Sequence, residues 1–259
     1  MHMPMKISSI VFAVLLAVSS VSGQWVEQSS QSASSPVAGL LYRTVRLEDA
    51  ASGEVATVEF AVFPVKSNLS LRVVDNPEGS ADLAVAMPAA GCLAGVNGGY
   101  FDPSFAPLGL RVVDGTVVRP MIRARLMTGV LLSAPGTTQI LRIGEYSARR
   151  KATAALQCGP LLVDGGRPVQ GLDRTRLARR TFAAVAGDRA ALGVCSESSL
   201  AGVADILCTV QLADGVKVNR ALNLDGGSSS AFWFKRSDAR PVSISEMKSV
   251  RDFVGIAPR

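Results

Sequence analysis

Residues 223–234 read NLDGGSSSAFWF and close a short apolar strand, RALNL at 220–224. A nearly continuous apolar run ahead of a turn is the pattern of a strand in a sheet interior. The next residues break the pattern: Asp225, Gly226 and Gly227, then Ser228, Ser229 and Ser230, with no alternation before Phe232. Two readings stand. One is a tight Asp-Gly turn, a device that recurs at Asp114-Gly115 and Asp164-Gly165. The other is a loop in which glycines free the backbone from Cβ sterics. Successive N–H groups and serine hydroxyls then face one anion, while Asp225 projects from the strand end.

The rest of the chain is mostly β. Apolar and β-branched residues alternate over 58–65 and 69–74, with a turn at Ser67-Asn68. Residues 80–91, bounded by Gly79 and Pro88, are a candidate short helix, and 92–101 begin as a buried strand that breaks at Gly98-Gly99. Asp114-Gly115 joins two apolar arms over 109–118, Pro135-Gly136 divides 129–143, and Asp164-Gly165 turns 157–169. A polar loop over 170–180 leads to two strands within 181–196, turning at Gly187-Asp188. The clearest helix is 199–212: Ser198 or Ser199 caps it, and Leu200, Val203, Ile206, Leu207 and Val210 share one face. A last strand is expected at 253–257. No solenoid period is present. The pattern predicts a single α+β domain with a mixed, mainly antiparallel sheet core and a few flanking helices.

At the N-terminus Lys6 precedes the apolar run Ile10–Val18 and small residues up to Gly23, which predicts a signal peptide over 1–23. A membrane anchor is the alternative, but the run is short against the roughly 20 residues of a span. The Ser/Gln-rich stretch 24–37 predicts a flexible leader before a domain at 38–259. The mature protein is then exported, periplasmic or secreted, without a stable membrane span. Export bears on Cys92, Cys158, Cys195 and Cys208, none of them in a CxxC pair. An even number in an exported chain predicts two disulfides. Three connectivities are open, with Cys92–Cys158 and Cys195–Cys208 preferred, and two free buried thiols stand as the alternative to the first of these.

The net charge is +6, and Arg174, Arg176, Arg179 and Arg180 lie close together. Such a surface favours anionic partners: phosphates, acidic glycans or anionic membranes. No basic stretch is interleaved with aromatics, so no nucleic-acid partner is expected. The one histidine, His2, falls in the predicted signal peptide. Ser-His-Asp and Cys-His nucleophile systems and His-ligated zinc are thereby excluded. Acid–base chemistry falls to Asp, Glu, Tyr, Lys, Cys or the substrate. Neither a metal nor a cofactor is expected; a calcium site at Asp225 ranks last, because EF-hand spacing is missing.

Two further corners matter. Asn97-Gly98-Gly99-Tyr100-Phe101 is either a strand ended by a glycine turn or a site with a donor–acceptor amide and a ring that stacks on sugar. Arg180-Thr181 stands where the basic loop meets a strand, and its guanidinium matches either a surface carboxylate or two phosphate oxygens. The ordered set is NGGYF, a GL-xxx-DG hairpin, CGPLLVDGG, Arg-Thr before a strand and ALNLDGGSSS. From about Val55 to the C-terminus it resembles the phosphodiester glycosidase family. The family motif reads Asp-Gly-Gly-Gly-Ser; here Ser228 stands at the third glycine.

The resemblance implies hydrolysis of a sugar-1-phosphodiester at the anomeric bond, with a sugar-phosphate or phosphorylated glycan as substrate and a phosphate monoester leaving. Such a leaving group needs little general-acid help, positive charge and N–H donors steady its oxygens, and a carboxylate serves the oxocarbenium-like centre. On that reading Asp225 supplies the carboxylate. Arg180, Gly226, Gly227, Ser228 and Ser229 hold the phosphate, and Asn97, Gly98, Gly99, Tyr100 and Thr181 contact sugar or phosphate from the other side. Asp102 and Glu197 are candidate second carboxylates, each read first as a capping or solvated acid. The alternative function is a non-catalytic envelope protein that binds phosphorylated glycan in the same cleft.

Overall fold

The computed structural model describes residues 24–259, so the expected signal peptide lies outside the described residues. Alternation along the strands sorts side chains between two layers. In Val55–Pro64, Val58, Phe60 and Val62 point to one face and Ala61 and Phe63 to the other, as a period of two requires. This strand belongs to an eight-stranded sheet ordered Trp25–Ser34, Leu41–Asp49, Val55–Pro64, Arg189–Ser198, Ala178–Ala186, Arg220–Asn223, Leu161–Asp164, Arg167–Pro168. One face is covered by the helix Leu200–Thr209, whose Val203, Ile206 and Leu207 pack on Phe60, Phe182 and Ala184. Ser199 caps that helix, its hydroxyl accepting from the Gly202 N–H.

The other face meets two five-stranded sheets across the main core. One, the hairpin sheet, contains Arg111–Val113, Thr116–Arg119, Gly129–Ala134, Thr137–Arg142 and Ala154–Cys158. Its first turn has both Asp114 and Gly115 at positive φ, 45° and 81°, the geometry that an Asp-Gly hairpin demands. The other, the C-terminal sheet, runs Val242–Ile244, Phe232–Phe234, Ala94–Asn97, Asp252–Pro258, Leu69–Asp75. The helix Leu83–Ala89 packs on its outer face, capped by Asp82 and carrying Pro88 in its last turn.

The α+β single-domain expectation holds, with two α-helices among the described residues. Three details of the architecture differ. Strand pairing is antiparallel throughout the described residues, not mixed: tight turns pair hairpin neighbours, and the crossover through Leu200–Thr209 brings Arg220–Asn223 in beside Ala178–Ala186 and not beside Arg189–Ser198, the strand it left. The hairpin expected at Asp164-Gly165 forms but is shorter than 157–169: the chain leaves the hairpin sheet at Gly159-Pro160, a cis bond, and only Leu161–Asp164 and Arg167–Pro168 pair, within the large sheet. Within the segment expected to be a flexible leader, Trp25–Ser34 is an edge strand registered against Leu41–Asp49. Its side chains beyond Trp25 are largely exposed, so the backbone ladder rather than an apolar pattern holds it.

The four cysteines are free thiols, which corrects the expected Cys92–Cys158 and Cys195–Cys208 bridges. Cys92, Cys158 and Cys195 each sit in a different core cluster and act as small apolar residues. Burial pushes the Cys158 and Cys195 thiols up to about 12 and those of Cys92 and Cys208 to about 11.

Candidate active site

The sheets meet where two interior strands end. Arg220–Asn223 of the large sheet and Ala94–Asn97 of the C-terminal sheet both run out at one corner. Asn97 joins them. Its Nδ2 donates to the Asp225 carbonyl at 2.7 Å, and its Oδ1 accepts from Thr181 Oγ1 at 2.7 Å and from the Ala231 N–H at 3.0 Å. The Asp225 N–H in turn donates to the Gly98 carbonyl at 3.1 Å. The two glycine corners, far apart in sequence, are therefore hydrogen-bonded neighbours. Asn97 and Thr181 are fully buried, so both act as pins between segments rather than surfaces offered to a ligand.

The glycines of the first corner are explained by what lies beneath them. A Cβ on Gly98 would stand 1.8 Å from Asp252 Oδ1, and one on Gly99 would stand 2.0 Å from an Arg111 guanidinium nitrogen. Arg111 and Asp252 are paired at 2.7 Å, and the Gly99 N–H donates to Asp252 Oδ1 at 2.8 Å. Arg111 also donates to the carbonyls of Leu108, Leu110, Gln157 and Tyr100, which leaves its charge fully engaged. Close approach at Gly98 and Gly99 thus serves this ion pair, where the sequence suggested contact with a ligand. Neither Arg111 nor Asp252 was foreseen. The available signal was a charge inside each of two apolar strands, RVV and DFVGIAP, 141 positions apart.

Tyr100 is fixed at both ends. Its ring packs on the main core, and its hydroxyl donates to the Gly159 carbonyl at 2.6 Å while accepting from Asn223 Nδ2 at 3.0 Å. Burial first, then Cys158 and Asp225, push this hydroxyl well above the usual tyrosine range.

Asp225 itself is partly exposed. Its Oδ1 accepts from the Gly226 N–H at 2.9 Å. Burial raises its carboxyl above the usual aspartate range, against the pull of the Ser229 hydroxyl, Lys248 and the Gly226 N–H. Lys248, unforeseen in the sequence, stands with its ammonium 5.5 Å from the Phe101 ring centroid. Gly226 is extended and backs onto the Arg179 carbonyl, 3.0 Å from where its Cβ would be. Gly227 lies at φ +65° with open space beside it, the left-handed region that favours glycine. It opens a 3-10 turn, Gly227–Ser229, whose first N–H groups have no acceptor within the turn. Ser228 is exposed and Ser229 is buried.

Arg180 completes the corner. Its Cδ is 4.0 Å from the Gly226 Cβ direction, and its guanidinium donates to the Ser198 carbonyl at 2.8 Å and to the Arg176 carbonyl at 2.5 Å. Burial, then Arg176, lower its pKa, while Tyr100 and Asp173 oppose that. Among the described residues its Nη1 makes no protein hydrogen bond. Asp102 lies off the corner chemistry: its carboxylate accepts from Ser104 and Ala106 in a local turn and is held low by those bonds, Ser104 first. Glu197 is exposed on the strand Arg189–Ser198. Among the described residues no three His, Cys, Asp or Glu side chains cluster as a metal site requires. Clefts of about 590, 490 and 420 Å³ lie elsewhere, beside Lys66 and Arg220, beside Val117 and Tyr146, and beside Arg72 and Pro258.

The corner brings together one carboxylate, one guanidinium and a serine–glycine turn, with no histidine among the described residues. The family model for phosphodiester glycosidases matches residues 90–257, and the chain belongs to that family. It is thus a hydrolase of the glycosidase and phosphodiester-hydrolase class. The fold is similar to the zebrafish N-acetylglucosamine-1-phosphodiester alpha-N-acetylglucosaminidase catalytic domain, which is described as auto-inhibited by its pro-peptide. The TM-score is 0.64 at 18% identity, over 90% of this chain and 89% of that one. It is also similar to a hypothetical protein from Synechocystis, with a TM-score of 0.59 at 17% identity, over 85% of this chain and 62% of that one. No curated protein sequence matches the chain.

Proposed function

We propose that the protein hydrolyses a sugar-1-phosphodiester at the anomeric carbon, with Asp225 as the reacting carboxylate. Water supplies the new hydroxyl on the sugar, the anomeric C–O bond breaks, and its electron pair leaves on a phosphate monoester. Asp225 serves either by attacking the anomeric carbon or by taking the proton of the attacking water; retained or inverted product stereochemistry distinguishes these. Arg180 and the N–H groups of Gly227 and Ser228 bind the phosphate and stabilise its departing oxygens. Lys248, whose charge acts on Asp225, adds to the positive field there. Asn97 and Thr181 are positioning residues that hold the Asp225 loop against the strand end.

The observation that carries this reading is the pairing of Asn97 Nδ2 with the Asp225 carbonyl at 2.7 Å, which unites the two glycine corners beside Arg180. The similar zebrafish enzyme, whose name specifies an N-acetylglucosamine-1-phosphodiester, supports that substrate as the first to try. We also propose that the protein acts outside the cytoplasm, on phosphorylated envelope or extracellular glycans. The Lys6 and Ile10–Val18 pattern supports export, and N-terminal sequencing of protein recovered outside the cytoplasm tests it.

The functional test is turnover of a UDP-type sugar-1-phosphodiester by the purified protein. Asp225→Asn is expected to lower the rate at least about 100-fold, the range of a directly participating group, with melting not lowered. Full activity in that variant removes Asp225 from the chemistry. Retention of phosphorylated glycan without turnover, and without dependence on Asp225, would favour the binding-protein alternative.

A further inference from the structure

Beside the corner lies a segment that the proposed chemistry does not use. Residues 114–126 are exposed without interruption. Five are large and apolar: Val117 at 58% exposed, Val118 at 48%, Met121 at 39%, Ile122 at 36% and Leu126 at 61%. Between them stand Arg119, Arg123 and Arg125, none of which forms an ion pair among the described residues. From Gly115 to Gly144 the chain contains no Asp or Glu. Scattered exposed apolar residues need no explanation, but five within the ten positions 117–126, with arginines between them, do.

The segment is not a loose excursion. Thr116–Arg119 is the edge strand of the hairpin sheet. Past it, the fully buried Gln157 side chain clamps the loop, accepting from the Ile122 N–H at 3.1 Å and donating to the Ile122 carbonyl at 2.7 Å. Two residues beyond Gln157, Gly159 touches both sides: a Cβ there would stand 2.1 Å from the Leu126 carbonyl, and its own carbonyl receives the Tyr100 hydroxyl. The loop backbone is therefore built against the wall of the catalytic corner.

We propose that residues 116–126 dock the enzyme on an anionic lipid bilayer, so that the neighbouring corner meets sugar phosphodiesters borne on that membrane. The apolar side chains enter the headgroup–acyl boundary, while the arginines stay at headgroup level and pair with lipid phosphates. Charge decides for a bilayer over a protein groove: residues 116–126 carry three arginines and no acid, and the acids nearest to them, Asp114 and Asp102, stand at the edge of the segment. Among the described residues no helix is long and apolar enough to cross a membrane. The docking claim stands without any chemistry; the membrane-borne substrate rests on the glycosidase reading above.

The experiment is vesicle co-sedimentation of the purified protein. Vesicles of phosphatidylcholine with phosphatidylglycerol should bind it, and vesicles of phosphatidylcholine alone should not. Raising the salt from about 0.1 M to about 1 M should weaken binding as screening shortens. Replacing Arg119, Arg123 and Arg125 together by alanine should cut partitioning on the order of 100-fold, at about fivefold per arginine. Met121→Ser with Leu126→Ser should also weaken vesicle binding, yet leave retention on immobilised polyphosphate unchanged. All five positions are exposed, so thermal melting and turnover of a soluble sugar-1-phosphodiester should match wild type. Absent vesicle binding, equal binding to neutral vesicles, or an unaffected arginine triple variant each overturns the proposal. Equal loss on polyphosphate and on vesicles in the serine variant does so too, since it points to a soluble polyanion. Failure of the glycosidase reading shows separately, as vesicle binding without turnover of the soluble substrate.

Discussion

Arg111 and Asp252 form an ion pair at 2.7 Å in which each side chain is 1% exposed, directly beneath Gly98 and Gly99. Asp252 spends its second oxygen on the Gly99 N–H, and Arg111 engages four carbonyls, so both charges are satisfied without water. A pair this buried gives little net stability over apolar residues of the same shape, but removing one member strands the other. Arg111→Met should therefore cost about 3–5 kcal/mol, read as a lower denaturant midpoint. An unchanged midpoint would show that the corner does not depend on the pair.

The corner glycines should separate into two classes. Gly98→Ala and Gly99→Ala each drive a methyl into the buried pair, at 1.8 and 2.0 Å, and should destabilise by about 3 kcal/mol or prevent folding. Gly227→Ala meets open space and carries only the left-handed backbone cost, about 1–2 kcal/mol. Thermal melts of the three variants measure the contrast.

Asp225 should trade stability for function. Burial raises its carboxyl in the folded state, so folding favours the protonated form. Its contribution is then most favourable below the unfolded carboxylate pKa and falls as pH rises through the raised folded value. At neutral pH, where the carboxylate is ionised at a cost, Asp225→Asn should melt no lower than wild type while losing activity. The acid limb of kcat/KM should likewise lie above the ordinary aspartate range and vanish in the variant. A lower melting temperature in Asp225→Asn at neutral pH would contradict this assignment.

Because all four cysteines are free thiols, reductant should leave the melting temperature unchanged. Thiol titration of the native protein should find Cys208 first, the one cysteine not fully buried, and the other three after denaturation. A reductant-sensitive melt would point to a bridge in the mature protein.

Local chemistry was legible along the chain. The Asp114-Gly115 hairpin, the helix capped by Ser199, and the hairpin at Gly187-Asp188 arise from backbone preference and from periods of two and 3.6, which act over a few residues. The edge strand Trp25–Ser34 was not legible, because a ladder held by backbone bonds leaves no apolar signature in Ser and Gln. Free thiols at Cys92 and Cys158 stood as an alternative, while those at Cys195 and Cys208 were missed: pairing depends on which core cluster each cysteine enters, and an even count carries no such information.

The candidate site divides the same way. Residues 24–259 contain no histidine, which leaves acid–base chemistry there to other side chains, and the ordered motifs marked Asn97, Arg180 and Asp225 as the group to watch. Only the tertiary structure decided what each does there. It turned Asn97 and Thr181 into buried pins, gave Gly98 and Gly99 to an ion pair formed across 141 positions, and brought the charge of Lys248 to bear on Asp225. The physical reason is that burial and opposite charge join partners through space. A side chain's role is set by which of its polar atoms remain free once those bonds are made, and no local pattern in the sequence records that remainder.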